Sequence, residues 1–194
     1  MFLLERFLLL RPWAAVFSLI YIPARLLSLK KPSPLRHEAA LFLFWLTVVL
    51  ILSQTLSTDG RLSGIRIEPG CALRPEYYNF RPFDLFRTWR GYIGTDGFAE
   101  FTVINVIGNV AVFVPLGYFF SRAYRKGIPA ATLCGACLSV FIEICQIPMA
   151  RHTDVDDVIL NTLGAFIGGV AAAIVGRAVL SSKKRKEEGG STDD

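Results

Sequence analysis

The chain has 194 residues, of which 53% are hydrophobic and 12% aromatic, and only 19% are charged, against about 25% in a soluble globular domain. Its mean hydropathy of +0.45, with apolar runs of roughly 17–25 residues, excludes a soluble domain and predicts an all-α integral membrane helix bundle of four to five transmembrane helices. The formal charge of +5 does not indicate nucleic acid, because the basic residues stand at the ends of apolar runs, as topology signals do, rather than on one face.

The first apolar segment, Pro12 to Leu29, is disturbed by Arg11, Pro12, Pro23 and Arg25. It reads either as a kinked span with Arg25 snorkelling to the interface or as an interfacial helix. No small-x-small pattern typical of a cleaved signal follows it. Residues 1–37 thus form an N-terminal unit of weak span or interfacial segment and loop. The bundle proper is expected over 38–180, with spans at Ala39–Leu56, Thr102–Ser121, Ile128–Pro148 and Asp157–Leu180. Its outer loop is 57–101 and its polar motifs fall within 105–164. Residues 181–194 are expected to be a disordered cytoplasmic tail, opening with the stop-transfer run Lys183-Lys184-Arg185-Lys186, which also has weak attraction for anionic lipid.

The Lys/Arg distribution orients these spans. Lys30, Lys31 and Arg36 lie between the first two, Arg122, Arg125 and Lys126 between the third and fourth, and the basic run after the fifth. All three places are expected to be cytoplasmic, the C-terminus included, in a multi-pass protein of the cell membrane. The 57–101 loop has six Arg balanced by six Asp and Glu and is expected outside. Its aromatic run Tyr77–Phe83 reads as a headgroup-level anchor or as a wall of a site.

Four cysteines make no disulfide framework: Cys134, Cys137 and Cys145 share one span and Cys71 stands alone. Cys134-x-x-Cys137 lacks the second Cys/His pair that a zinc site needs, and it reads as helix packing.

The polar residues inside the spans carry the functional signal, since amide and carboxylate groups are costly in hydrocarbon unless they face protein or a water-filled cavity. Asn105 and Asn109 interrupt the third span, Glu143 and Gln146 the fourth, and Asp156, Asp157 and Asn161 open the fifth. At a rise of about 1.5 Å per residue, Asn105 and Asn109 lie roughly 5 and 10 Å below the outer end, Gln146 and Glu143 roughly 3 and 8 Å, and Asn161 roughly 6 Å. Spacings of three and four put each pair on one helix face. Gly164 and Gly168 extend the Asp157–Asn161 face as a small-xxx-small pattern, and Gly108 and Gly117 offer similar room on the third span. The amides read either as interhelical hydrogen bonds or as ligand-binding groups. Glu143 needs a cation, a proton or a strong donor, for which Arg151 is the candidate partner. Asp154, Asp156 and Asp157 read as helix caps or, with Glu143, as oxygen ligands for a divalent cation. No dedicated metal motif accompanies them, and no other cofactor is expected.

The same residues carry a resemblance. Asn105, Gly108, Asn109, Phe113, Pro115 and Gly117 form one motif; Glu143 and Gln146 a second; Arg151, Asp154, Asp156, Asp157, Asn161 and Gly164 a third. Together they resemble the VanZ-like membrane proteins, over about residues 79–175. Asn79–Phe83 is similar to a shorter motif ahead of that core, with Arg81 in place of an apolar residue. The resemblance implies a multi-span bacterial envelope protein, in a family named for a protein associated with resistance to the glycopeptide teicoplanin. It implies no reaction.

Two functions compete. In the first, an outer pocket of Asn105, Asn109, Gln146, Arg151, Asp154, Asp156 and Asn161 binds a membrane lipid or a lipid-linked cell-wall precursor headgroup, and so alters glycopeptide sensitivity. In the second, the chain is an enzyme on such a lipid, with Glu143 as general acid or base and Asp157 holding a cation or partner. There is no nucleophile-elbow, zinc-protease or phosphate-cradling motif. A transporter is disfavoured, because the polar residues gather at one side rather than at the midplane. Self-assembly through the Gly164/Gly168 face stays open.

Overall fold

Backbone N–H and C=O groups find no water in hydrocarbon, so apolar runs of spanning length fold as helices that satisfy those groups internally. The structure, a computed structural model, describes residues 11–27, 34–57, 65, 67–68, 74, 78–149 and 151–189. Lys30, Lys31, Cys71, Tyr77 and residues 190–194 of the expected tail lie outside the described residues. Helix α1 is Arg11–Leu27 and α2 is Leu35–Thr55; a two-residue strand β1, Tyr78–Asn79, precedes the short helices α3, Asp84–Tyr92, and α4, Phe98–Phe101. A π-helical segment, Thr102–Gly108, leads without a break into α5, Asn109–Tyr124; then come α6, Ile128–Gln146, strand β2, Thr153–Asp154, and α7, Val155–Gly189.

Among the described residues, four helical stretches are long and apolar enough to cross a membrane: 35–55, 98–124, 128–149 and 155–182. The fold is the expected all-α bundle. The described α1 has 17 residues with Pro23 inside it, and it packs along α2. Phe17 and Tyr21 meet Phe42 edge-on at centroid distances of 5.1 and 5.7 Å, and Arg25 pairs with Glu38 through bonds of 2.6 and 2.5 Å. Helix α5 is central, packing most extensively against α7 and also against α2 and α6. Between α2, α5 and α6 the core is built from Phe44, Val48, Ile51, Phe113, Leu116 and Ile142.

Three differences from the sequence reading have physical reasons. Helix α7 runs to Gly189, past the expected boundary at 180, because Lys, Arg and Glu are good helix formers even outside hydrocarbon. The π-helical segment had no apolar-period signature; Thr102 and Asn105 both bond back to carbonyls four residues earlier, those of Phe98 and Phe101, and side-chain intrusion of this kind distorts the regular ladder. The 57–101 loop is not plain connection: α3 and α4 carry a run of ring contacts, Phe86–Trp89, Trp89–Phe98 and Tyr92–Phe101, the last stacked at 4.6 Å. Trp89 Nε1 donates to Thr102 Oγ1 at 2.9 Å and ties this aromatic ledge to the start of the third span.

Candidate functional site

The polar residues of α5, α6 and α7 gather at the end of the bundle that carries the 57–101 loop, and the short connection between α6 and α7 organises them. Here β2 pairs in parallel with β1, Tyr78 opposite Thr153 and Asn79 opposite Asp154. A two-residue ladder is weak alone, but its side chains extend it. Asn79 Nδ2 donates to Asp154 Oδ2 at 3.1 Å. The Asp154 N–H donates to Glu143 Oε2 at 3.0 Å, and Thr153 Oγ1 donates to the Glu143 carbonyl at 3.4 Å. Glu143, only 6% exposed, is thus held by the backbone of the connection.

Each carboxylate of the acidic cluster has its own donor. Asp154 precedes α7 and its Oδ1 accepts the Asp156 N–H at 2.9 Å, the geometry of an N-cap. Asp156, 3% exposed, accepts the N–H groups of Phe83 and Leu85 at 2.5 and 2.7 Å and so caps α3, an element far from it in sequence. Asp157 Oδ1 accepts from Asn109 Nδ2 at 2.6 Å, joining α7 to α5. Among the described residues, no group of three or more His, Cys, Asp or Glu is arranged to hold a metal ion. Three acids in four residues are accounted for by two caps and one interhelical bond.

The amides divide in the same way. Asn161 is buried on α7, where its Nδ2 donates to Ser139 Oγ of α6 at 2.9 Å while its Oδ1 has no hydrogen-bond partner among the described residues. Asn109 bonds both Asp157 and the Asn105 carbonyl. Asn105 is not brought to the others: its Nδ2 turns back to Phe101 of its own helix at 3.1 Å, so equal spacing from Asn109 does not place both amides on the α7 contact once the intervening turn is π-helical. Gln146 and Arg151 both donate to the Thr55 carbonyl, Gln146 at 2.9 Å. This corrects the expected Arg151–Glu143 pairing. Thr55 is the last residue of α2, whose orphan carbonyls and negative dipole end attract a cation, and that end captures Arg151.

Beside Glu143 a cleft of about 200 Å³ opens between α6 and the start of α7, lined by Phe80, Val140, Glu143, Ile144, Ile147, Thr153, Asp154, Val155 and Val158. Its walls are mostly apolar, and its polar side chains are Glu143, Asp154 and Thr153. Val140 and Ile144 are 44% and 59% exposed on the outside of the bundle, and Phe80, at 71%, lines the cleft from the 57–101 loop. Of the two expected catalytic residues only Glu143 lines this space; Asp157 faces α5 instead. Glu143 Oε1 accepts no hydrogen bond among the described residues.

The glycines set how closely the helices approach. A Cβ at Gly117, Gly164 or Gly168 would overlap backbone of the facing helix, that of Ala165, Val110 or Val114 respectively, so α5 and α7 are in backbone contact. At Gly108 a Cβ would meet only the Val103 carbonyl of its own helix, at 3.2 Å. Sequence reasoning missed Ser139 and Thr153 as members of the site, whereas Asn79 and Phe80 belong to the run read as an anchor or as a wall of a site. Ser139 carried a readable signal: it lies four residues before Glu143 and therefore on the same face of α6. The roles of Thr55 and of the Phe83 and Leu85 N–H groups are made by backbone atoms, which leave no residue-type signature.

Comparison with curated proteins and with solved structures found no match. The VanZ/LLP1 family model matches residues 39–176, a stretch that contains all four long apolar stretches almost entire and every polar contact of the site just described. This chain therefore belongs to the VanZ/LLP1 family.

Proposed function

We propose that this VanZ-like membrane protein binds the headgroup of a lipid, of the kind represented by a lipid-linked cell-wall precursor, at the cleft beside Glu143 in the outer leaflet. The observation that carries this reading is a buried carboxylate at the edge of an apolar cleft, with one oxygen fixed by the Asp154 N–H. Val140, Ile144, Ile147 and Val158 offer an acyl chain a dry wall, while Glu143 and Asp154 offer acceptors to hydroxyl, amide or ammonium donors. With Arg151 committed to Thr55, no basic side chain among the described residues lines the cleft. The headgroup feature it suits is therefore a sugar, amide or amine rather than a phosphate. Occupancy of a wall precursor here is the route by which teicoplanin sensitivity would change.

The test is retention of a lipid-linked wall precursor by the purified full chain in nanodiscs, against phosphatidylcholine. Wild type should retain the precursor, and Glu143→Gln and the cleft-filling Val140→Trp should each weaken retention about tenfold, one strong charge-assisted bond being worth about 1.5–3 kcal/mol. Equal retention of both lipids by wild type, or full retention by Val140→Trp, would sink the proposal.

A second reading rests on the same free Glu143 Oε1, which has the placement of a general acid or base toward a cleft-bound lipid. Mass spectrometry of lipid extracts separates the two: a lipid altered in a deletion strain and restored by wild type but not by Glu143→Gln indicates chemistry. An unchanged lipid composition in all strains rules it out.

A further inference from the structure

The opposite end of the bundle holds a cavity of about 290 Å³ between the start of α2 and the end of α5, lined by Pro34, Arg36, His37, Ser121, Arg122 and Arg125. We propose that it is a phosphate-binding site, independent of the cleft beside Glu143. Basic residues at span ends are expected as topology signals, and a topology signal needs only charge. This site has more. Among the described residues no carboxylate lines it. Glu38, the acid nearest in sequence, is taken by Arg25, and among the described residues none of Arg36, Arg122 and Arg125 has a carboxylate within ion-pairing distance.

Two of the lining residues each carry a buried polar atom, His37 Nδ1 and Ser121 Oγ, with no hydrogen-bond partner among the described residues, an arrangement native proteins avoid unless a ligand or water completes it. Arg125 ends α5 in the left-handed region, at φ 53°, where glycine is usual. An adjoining smaller cleft of about 100 Å³ shares Ser121 and Arg122 and adds Lys126. The positive end of the α2 dipole lies at the same place, its first residues being Leu35, Arg36 and His37. Guanidinium forks, a hydroxyl, an imidazole and a helix N-terminus converging on one cavity are the donor set that recognises a phosphate group. Because α2 and α5 both end here, the cavity stands at the level of lipid headgroups, so the phosphate is that of an anionic phospholipid or a free phosphate anion.

Native mass spectrometry of the full chain tests this with phosphatidylglycerol, phosphatidylcholine and inorganic phosphate as probes. One phosphatidylglycerol should be retained about tenfold better than phosphatidylcholine, and Arg36→Gln with Arg125→Gln should bring retention to the phosphatidylcholine level, at about fivefold for each basic residue lost. Arg36→Lys with Arg122→Lys keeps every charge that orients the chain; it should still weaken retention several-fold, because the planar fork is lost. Displacement of the lipid by millimolar inorganic phosphate assigns a free anion as the ligand, and persistence of the lipid assigns the headgroup. Equal retention of the two lipids by wild type overturns the proposal, as does unchanged retention in the lysine variant, which would reduce the site to bulk attraction.

Discussion

Asp156 and Phe83, 73 residues apart in the chain, meet through a hydrogen bond of 2.5 Å from the Phe83 N–H to Asp156 Oδ1. Phe83 has φ 66°, a left-handed conformation that costs a bulky residue energy, and the second bond to the Leu85 N–H fixes the first turn of α3 beside it. The acid is thus a cap supplied from another element. Asp156→Ala should release α3 and leave α7 intact, with a loss of about 1.5–3 kcal/mol in local stability. Hydrogen exchange reads it directly: amides of residues 83–92 should exchange at least tenfold faster while those of 160–175 hold. Unchanged protection of Leu85 would mean that the cap carries no energy.

Gln146 and Arg151 share one acceptor, the Thr55 carbonyl, so their contributions should not add. Either Gln146→Ala or Arg151→Ala alone leaves Thr55 with a donor and should lower stability by no more than about 1 kcal/mol. The double variant strands the carbonyl at the end of α2 and should cost more than the sum, with a coupling of about 0.5–3 kcal/mol. Thermal unfolding in a fixed detergent measures it, and strict additivity would show that the two donors act separately.

Both the helices and the gathering of polar groups at one end were legible in the sequence, because hydropathy fixes the spans and a constant rise per residue fixes relative depth. The pairing of those groups was not. Arg151 illustrates why: charge alone points it to Glu143, yet a helix carbonyl terminus competes for it, and backbone acceptors are present in every sequence. Asn105 failed for a different reason. Its spacing from Asn109 is right for an α-helix, and the turn between them is π-helical. The three aspartates looked like one cluster because they are neighbours in sequence, but their side chains serve three different elements.

Ser139 and Asn161 form the one buried side-chain bond between α6 and α7 among the described residues, at 2.9 Å. Ser139→Ala should leave both ends of the Asn161 amide without a partner, whereas Ser139→Ala with Asn161→Leu removes both polar groups together. The single change should therefore be the more damaging, and a double-mutant cycle using Asn161→Leu should give a coupling of about 0.5–1.7 kcal/mol. A coupling near zero would make the contact incidental, and Asn161 Oδ1 would then be the functional end of that side chain.

Gly168 and Gly176 lie eight residues apart on α7 and should respond oppositely to alanine. A Cβ at Gly168 would overlap the Val114 carbonyl and the Tyr118 nitrogen of α5. The two backbones must then separate, at about 1–3 kcal/mol for an overpacked contact. At Gly176 the same Cβ would lie 3.7 Å from Arg122 Nη1, an ordinary van der Waals distance, and alanine should stabilise the helix by about 0.5–1 kcal/mol through propensity. Comparing unfolding midpoints of Gly168→Ala and Gly176→Ala in one detergent isolates the packing effect, since the helix-propensity gain is common to both. Because the Gly164–Gly168 face is filled by α5 within the same chain, a second copy cannot dock there without displacing α5. Gly168→Ala should accordingly lower stability without changing the oligomer mass measured by light scattering. A drop in oligomer mass at unchanged stability would instead place that face between chains and contradict the α5–α7 packing.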